Sequence, residues 1–174
     1  MNETHRQILE ARARILAAPA ERGITADGRI ETLRFSLAGE EYAFPTESIR
    51  AVVPLKDIEP IPCTPPFVTG LMNVRGQLVA VICIGQLFGL NRERLSEVRK
   101  VIILSSGESE LGITAERVAG IFSIAVAELQ SFVPTFEGIR GELTRGVTAD
   151  GLIVLDALKL LAHPAIVIRE EAAG

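Results

Sequence analysis

A stretch of thirty residues, Ile61 to Leu90, constrains the fold of this chain more than any other part. It opens with three prolines between positions 62 and 66, and each proline fixes its own φ angle and stiffens the loop. Two apolar runs follow, 68–74 and 78–83, joined across Arg75-Gly76-Gln77. Two apolar runs around a short turn predict a buried β-hairpin, with the Asn73 side chain placed to cap the turn.

Arg75 is an unusual residue for the tip of such a hairpin, because turns favour small or polar side chains. It is a solvated residue, a member of a local salt bridge worth under about 1 kcal/mol, or a guanidinium that contacts a partner or holds the hairpin tip in shape. Gly70 has two compatible interpretations. It marks a bulge where no side chain fits, or a point where a partner's backbone approaches closely.

Charge and composition exclude several classes of function. The net charge is −4, with no Trp and one Tyr, whereas nucleic-acid binders carry a basic face with interleaved aromatic residues. Two cysteines, Cys63 and Cys83, and two histidines, His5 and His163, offer no credible zinc ligand set. We therefore expect no nucleic-acid partner, no metal and no cofactor.

The sequence also lacks a recognisable catalytic set. Glu40 and Glu41 sit at a predicted turn, where solvated carboxylates are common. His5 and His163 lie near the two ends of the chain, and His163 precedes a proline, so both are poorly placed for a catalytic triad. Cys63 is flanked by prolines and Thr64 and has no adjacent base. We expect a binding protein and not an enzyme.

Membrane insertion is not expected. The longest run without charge, Gly76 to Leu90, is shorter than the ~20 apolar residues that a spanning helix needs. The N-terminus carries early charges and lacks the apolar core of a secretory signal. We expect the protein in the cytoplasm.

The chain divides into three parts. Residues 1–29 hold a predicted helix from Glu3 to Ala18 and a polar linker, residues 30–168 form the main domain, and residues 169–174 form a frayed tail. The helix either packs on its own domain or docks a partner or a second copy of the chain.

Short strands with turn residues between them fill the main domain, and Asp156 is a predicted N-cap of a closing helix over 156–161. They fall into two sets of five, which predict an all-β fold of two small five-stranded barrels, residues 30–90 and 91–165. The predicted strands are 32–37, 42–44, 49–55, 68–74, 78–83, 100–104, 111–115, 118–125, 139–147 and 151–155.

The order of three motifs is specific: Pro66-Phe67-Val68-Thr69-Gly70, then Asn73-Val74-Arg75-Gly76, then Phe88-Gly89-Leu90. Together with Gly39-Glu40-Glu41-Tyr42 and Leu111-Gly112, this order resembles the CheW-like coupling domain of bacterial chemosensory systems. The resemblance runs from about residue 34 to 161. It implies two small β-barrel subdomains that share a hydrophobic interface, and an adaptor function.

The resemblance also implies where partners bind, although each apolar residue taken alone is simply a core residue. Ile49 and Ile121 would line a groove for the hairpin tip of a chemoreceptor. Ala51 and Val52 would face the regulatory domain of a CheA-type histidine kinase. The full set of predicted partner-binding residues is Ile49, Ala51, Val52, Gly70, Asn73, Arg75, Gly76 and Ile121.

Two residues depart from the family's pattern. Ala51 stands where the family often has Glu, so it lacks a charge-assisted bond to the kinase. Cys83 stands where the family usually has Asp, so the helical turn after it lacks a good cap. The alternative function is a CheW-like scaffold that self-associates through its N-terminal helix, in a pathway of surface motility or biofilm formation.

Overall fold

A computed structural model describes residues 24–90, 99–107, 109–131, 138–164 and 166. Among these residues, no helix is both long and apolar enough to cross a membrane. The predicted helix over 3–18 and the tail after 168 lie outside the described residues. The expected domain bounds and the role of that helix therefore stay predictions.

The described residues form ten strands and three short helices, with two further turns of 3-10 helix at Thr46–Ser48 and Val126–Glu128. The strands are β1 (Arg29–Leu37), β2 (Glu40–Pro45), β3 (Ile49–Pro54), β4 (Val68–Val74), β5 (Gln77–Ile82), β6 (Lys100–Ser105), β7 (Glu110–Ala115), β8 (Arg117–Ala125), β9 (Thr144–Val147) and β10 (Ile153–Leu155). The helices are α1 (Ile84–Leu87), α2 (Gly138–Leu143) and α3 (Ala157–Ala162).

The strands make two five-stranded sheets, in the orders β8-β1-β2-β10-β9 and β3-β6-β7-β5-β4. We call them the first and the second sheet. The all-β class and the two five-stranded units are confirmed. The sheets are not closed barrels, because their edge strands are not joined by a ladder and the chain beyond one edge strand meets the other edge only at an isolated bridge. Gln130 joins Val147 in the first sheet, and Glu59 joins Leu71 in the second.

The strands divide between the sheets differently from the sequential grouping over 30–90 and 91–165. β1 and β2 belong with β8, β9 and β10, whereas β3 to β7 form the second sheet. The reason is long-range pairing: β1 runs antiparallel to β8, and β2 runs parallel to β10. A local pattern of hydrophobic residues specifies each hairpin but not which other hairpin adds to its edge.

The prediction of a strand over 139–147 is wrong for its first half, where the chain forms α2. Ile139 and Leu143 are four residues apart, so a helix presents both on one face. Leu143 is buried in the largest apolar cluster and Ile139 packs against it. The Thr144 hydroxyl donates to the Arg140 carbonyl at 2.7 Å, four residues back. This spacing of apolar residues is helical, and only Thr144 to Val147 is strand.

The largest apolar cluster takes side chains from both sheets and so forms a layer between them. Phe35 lies near its centre, stacked on Tyr42 at 5.7 Å and on Phe44 at 5.5 Å between ring centroids. Each fully buried side chain of this size contributes roughly 1.5–3 kcal/mol to stability. Two smaller clusters lie on the other faces: one around Val101 in the second sheet, and one around Val154 in the first.

The two sheets share a local plan at their helices. α3 follows β10, and the Asp156 carboxylate accepts a hydrogen bond from the Lys159 backbone N–H at 3.0 Å, as expected of an N-cap. α1 follows β5 in the same way, but Cys83 makes no side-chain cap bond. The thiol is buried in the layer between the sheets instead. α1 forms nevertheless, over four residues.

A polar contact at the edge of this layer joins β2 to α2. The Tyr42 hydroxyl donates to Glu40 Oε2 at 2.5 Å, and the Arg140 guanidinium pairs with the same carboxylate oxygen. Burial and the hydrogen bond to Glu40 raise the pKa of the Tyr42 phenol far above its ordinary value of 10.0.

Because of this raised pKa, the stability of the folded protein varies with pH in the alkaline range. The phenol ionises at a lower pH in the unfolded chain than in the folded protein. Its contribution to the free energy of unfolding is therefore fully present below about pH 10 and falls above it. Tyr42 is the only Tyr and the chain has no Trp, so phenolate absorbance has a single source. We predict that phenolate appears only together with loss of the β-sheet circular dichroism signal.

The control for this titration is Tyr42→Phe, which keeps the stacked ring and removes the ionising group. Its unfolding free energy should fall less steeply above pH 10 than that of the wild type. Phenolate absorbance that rises near pH 10 while the sheet signal is intact would contradict a buried, hydrogen-bonded phenol.

Candidate partner-binding site

The tip of the β4–β5 hairpin is a two-residue turn, Arg75-Gly76, between the paired residues Val74 and Gln77. Both turn residues have positive φ, 52° and 86°, as a type I′ turn requires. The Asn73 side-chain oxygen accepts a hydrogen bond from the Gly76 N–H at 2.9 Å, which confirms Asn73 as the turn cap. The tip is therefore held in shape by its own backbone and by Asn73.

Arg75 is exposed at this tip and adopts a left-handed conformation that non-glycine residues rarely take. Within the part of the chain that the structure describes, its guanidinium forms no ion pair. The local salt bridge, one of the interpretations of Arg75 from the sequence, is therefore not formed among these residues. Turn geometry gives no reason for an arginine here, which favours a role in binding.

A groove of about 280 Å³ opens beside the tip, and we call it the hairpin groove. It lies between β3 and β4, the two edge strands of the second sheet, which do not pair with each other. Apolar residues line part of it and polar residues the rest. The lining residues are Val53, Pro54, Lys56, Asp57, Met72, Asn73, Val74 and Arg75. The groove thus joins the third strand and the hairpin tip into one surface.

β3 is an edge strand whose register shifts between Ile49 and Ala51. The shift leaves Arg50 without a partner on β6, and its guanidinium pairs with Glu110 instead. Ala51 faces the apolar cluster of the second sheet, whereas Val52 lies opposite Ile102 and is 39% exposed. The bulge therefore turns Val52 to the same face as Ile49.

Ile49, Val52 and Ile121 share one layer of the structure. Their cross-strand partners are Leu104, Ile102 and Leu33, which all belong to the cluster between the sheets. Residues directly opposite on neighbouring strands lie on the same face of a sheet. The three predicted residues therefore lie at the rim of the shared layer, Ile49 and Val52 on β3 and Ile121 on β8.

These three residues differ in exposure. Ile49 is partly buried and packs against the shared layer, whereas Ile121 is 62% exposed. Apolar side chains exposed on an edge strand mark a surface that another molecule can cover.

Gly70 differs from the other predicted residues because it is buried. Its φ is +150°, and a Cβ added there would stand 2.3 Å from the Glu59 carbonyl oxygen. The backbone that approaches it closely is that of Glu59 in the same chain. This contact favours the interpretation that no side chain fits. Gly76, in contrast, is exposed and has open space around it.

Phe122 and Leu78 are exposed apolar residues that sequence reasoning did not select. Phe122 is 42% exposed and lies under the Arg34 guanidinium, 5.0 Å from its ring centroid. Leu78 is 70% exposed and lies opposite Asn73 in the hairpin. The signal for Phe122 was present, because adjacent strand residues face opposite sides and Ile121-Phe122 cannot both point inward.

Comparison with known proteins agrees with this architecture. The family model of the CheW-like domain matches residues 31–165. The chain is 30% identical over 143 residues to chemotaxis protein CheW of Treponema pallidum, covering 78% of this chain and 84% of that protein. It is 27% identical over 134 residues to chemotaxis protein CheW of Thermotoga maritima, covering 75% and 87% respectively.

A solved structure has a similar fold. The scaffolding protein TtCheW of Thermoanaerobacter tengcongensis superposes with a TM-score of 0.63 at 27% sequence identity. The match covers 72% of this chain and 83% of that one.

We predict that Gly70→Ala destabilises the protein by at least about 3 kcal/mol, because left-handed strain and overpacking against Glu59 add together. Gly151→Ala is the matched control, since Gly151 has a φ of +91° and nothing within 4 Å of an added Cβ. It should lose only about 1 kcal/mol. Urea unfolding measures both values, and equal losses would contradict the close approach of Glu59.

We also predict that Asn73→Ala loosens the hairpin tip. Loss of the bond to the Gly76 N–H should cost about 1 kcal/mol locally and speed hydrogen exchange of that amide. Asn73→Asp keeps an acceptor oxygen and should protect the amide nearly as well as the wild type. Exchange rates measured by NMR compare the three proteins, and an unchanged rate in Asn73→Ala would refute the cap.

Proposed function

Because this chain belongs to the CheW-like domain family, we propose that it is a non-enzymatic adaptor that couples chemoreceptors to a CheA-type histidine kinase in the cytoplasm. The observation that carries the proposal is the family match over residues 31–165. The chemotaxis and scaffolding names of its relatives support the same function.

We propose that the kinase surface comprises β3 and the hairpin groove, with Val52, Asn73, Arg75 and Gly76 as its main residues. Two geometric features of the second sheet support this assignment of the kinase surface. The strand has an unpaired edge, and the groove joins that edge to a guanidinium without an ion pair among the described residues. An arginine in such a place suits a carboxylate on a partner, since its planar fork binds both oxygens.

Ala51 takes a secondary part in this surface. The side chain faces the apolar cluster of the second sheet, so it offers a partner little area. A Glu at this position would add a charge-assisted bond that Ala lacks. The kinase contact on this strand would then rest mainly on Val52 and on the hairpin tip.

The proposed receptor surface is the rim of the layer between the sheets, at Ile49 and Ile121. The exposure of Ile121 supports it, because a receptor hairpin with an apolar tip would cover that side chain. The two proposed surfaces involve different edge strands, β3 with the hairpin and β8. One chain could therefore hold receptor and kinase together.

The mechanism that follows is dual binding without turnover. An adaptor that holds two partners raises the effective concentration of each for the other. A shared apolar layer fixes the two edge strands relative to each other, so the two partners are held in one relative position. Interfaces of this kind need only a small apolar centre and a polar rim.

Capture from the native cytoplasm tests this proposal. Tagged wild type should retain a histidine kinase and a chemoreceptor, identified by mass spectrometry. Arg75→Glu should lose the kinase at least about tenfold and keep the receptor, because charge reversal at an interface adds repulsion. Ile121→Ser should lose the receptor and keep the kinase, because the variant removes apolar area from the rim.

The two variants are controls for each other, and circular dichroism checks that both are folded. Wild type that captures neither partner would contradict the adaptor function. Arg75→Glu that is unfolded would mean that Arg75 is structural. Self-association through the predicted N-terminal helix stays a prediction.

A further inference from the structure

A second groove lies where the chain crosses from one sheet to the other. Glu116 links β7 of the second sheet to β8 of the first, and its N–H donates to the Ser36 carbonyl at 3.0 Å. The groove beside this crossing has a volume of about 540 Å³. We call it the basic groove, and its lining residues are Ser36, Arg99, Lys100, Glu116, Arg117 and Val118.

Among the described lining residues of the basic groove, three side chains are cationic and one is a carboxylate. The three cations, Arg99, Lys100 and Arg117, come from both sides of the crossing. All three are exposed, and in the described ranges neither Lys100 nor Arg117 forms an ion pair. This positive surface stands out because the whole chain has a net charge of −4.

Glu116, the carboxylate among the described lining residues, already accepts a hydrogen bond. Glu116 Oε1 accepts a hydrogen bond from the Ala38 N–H in the β1–β2 turn at 2.9 Å. Ala38 has a φ of 54°, so this bond also supports a turn residue in a strained conformation. Glu116 keeps its negative charge, so the described lining residues, with three cations and one carboxylate, carry a net charge of +2.

We propose that the basic groove binds an acidic peptide segment of a protein partner. An open groove with separate, exposed cations suits an extended chain of carboxylates better than a single small anion, which needs converging donors. Nucleic acid fits less well, because the described lining residues include no aromatic side chain for base stacking and the chain is acidic overall. The basic groove shares no residue with either surface of the proposed adaptor, although Lys100 pairs with Pro54, a lining residue of the hairpin groove.

The test is fluorescence anisotropy of a fluorescein-labelled oligoglutamate peptide with the full chain at low salt. Wild type should bind, and added salt should weaken binding, because exposed charges are screened. Arg117→Glu and Lys100→Glu should each weaken binding at least about fivefold, since each replaces attraction by repulsion. Lys159→Glu is the matched control, with the same charge change on α3, and should bind as wild type does.

The outcomes separate this site from the adaptor function. Arg75→Glu should bind the peptide normally, so loss of kinase capture and loss of peptide binding are independent results. The proposal is overturned if folded wild type does not bind the peptide, or if Arg117→Glu and Lys159→Glu weaken binding equally. Tighter binding of a labelled oligothymidylate, sensitive to Arg117→Glu, would identify a nucleic-acid site instead and would equally overturn it.

Discussion

The apolar layer between the two sheets is the interaction on which the rest of this structure depends. Phe35 stacks on Tyr42 and Phe44 there, and side chains from both sheets complete the cluster. Strands buried on both faces leave little freedom for one sheet to move against the other, because packed interiors resist deformation. The layer thus fixes where the edge strands lie, and every proposed partner surface is on or beside an edge strand.

Incomplete closure of the sheets explains why such surfaces exist. In each sheet, the chain beyond one edge strand meets the opposite edge strand at one isolated bridge. Glu59 forms this bridge in the second sheet and Gln130 in the first. A closed barrel would have no edges, whereas among the described residues no further strand pairs with the outer edge of β3 or β8. The hairpin groove lies between β3 and β4, the edge strands of the second sheet, which do not pair with each other. Binding surface here is a consequence of topology more than of any single residue.

Features governed by neighbouring residues could be predicted from the sequence, and features governed by distant pairing could not. The hairpin turn with its Asn73 cap and the Asp156 cap are local, and both are present. Sheet membership depends on long-range pairing, so the sequential grouping was wrong. The bulge in β3 is equally invisible in sequence, yet it brings Val52 and Ile49 to one face. Gly70 was flagged correctly as special, but the approaching backbone is that of Glu59.

Hydrogen–deuterium exchange with both proposed partners tests the central claim most directly, that one rigid frame presents two separate surfaces. The full chain would be compared alone, with the kinase regulatory domain, and with a receptor-tip peptide from the same organism. The account predicts that the kinase domain protects β3 and residues 73–76, that the receptor tip protects β8 around Ile121, and that the buried strands β2 and β7 change in neither case. Protection of the same strand by both partners, or of neither edge, would contradict it.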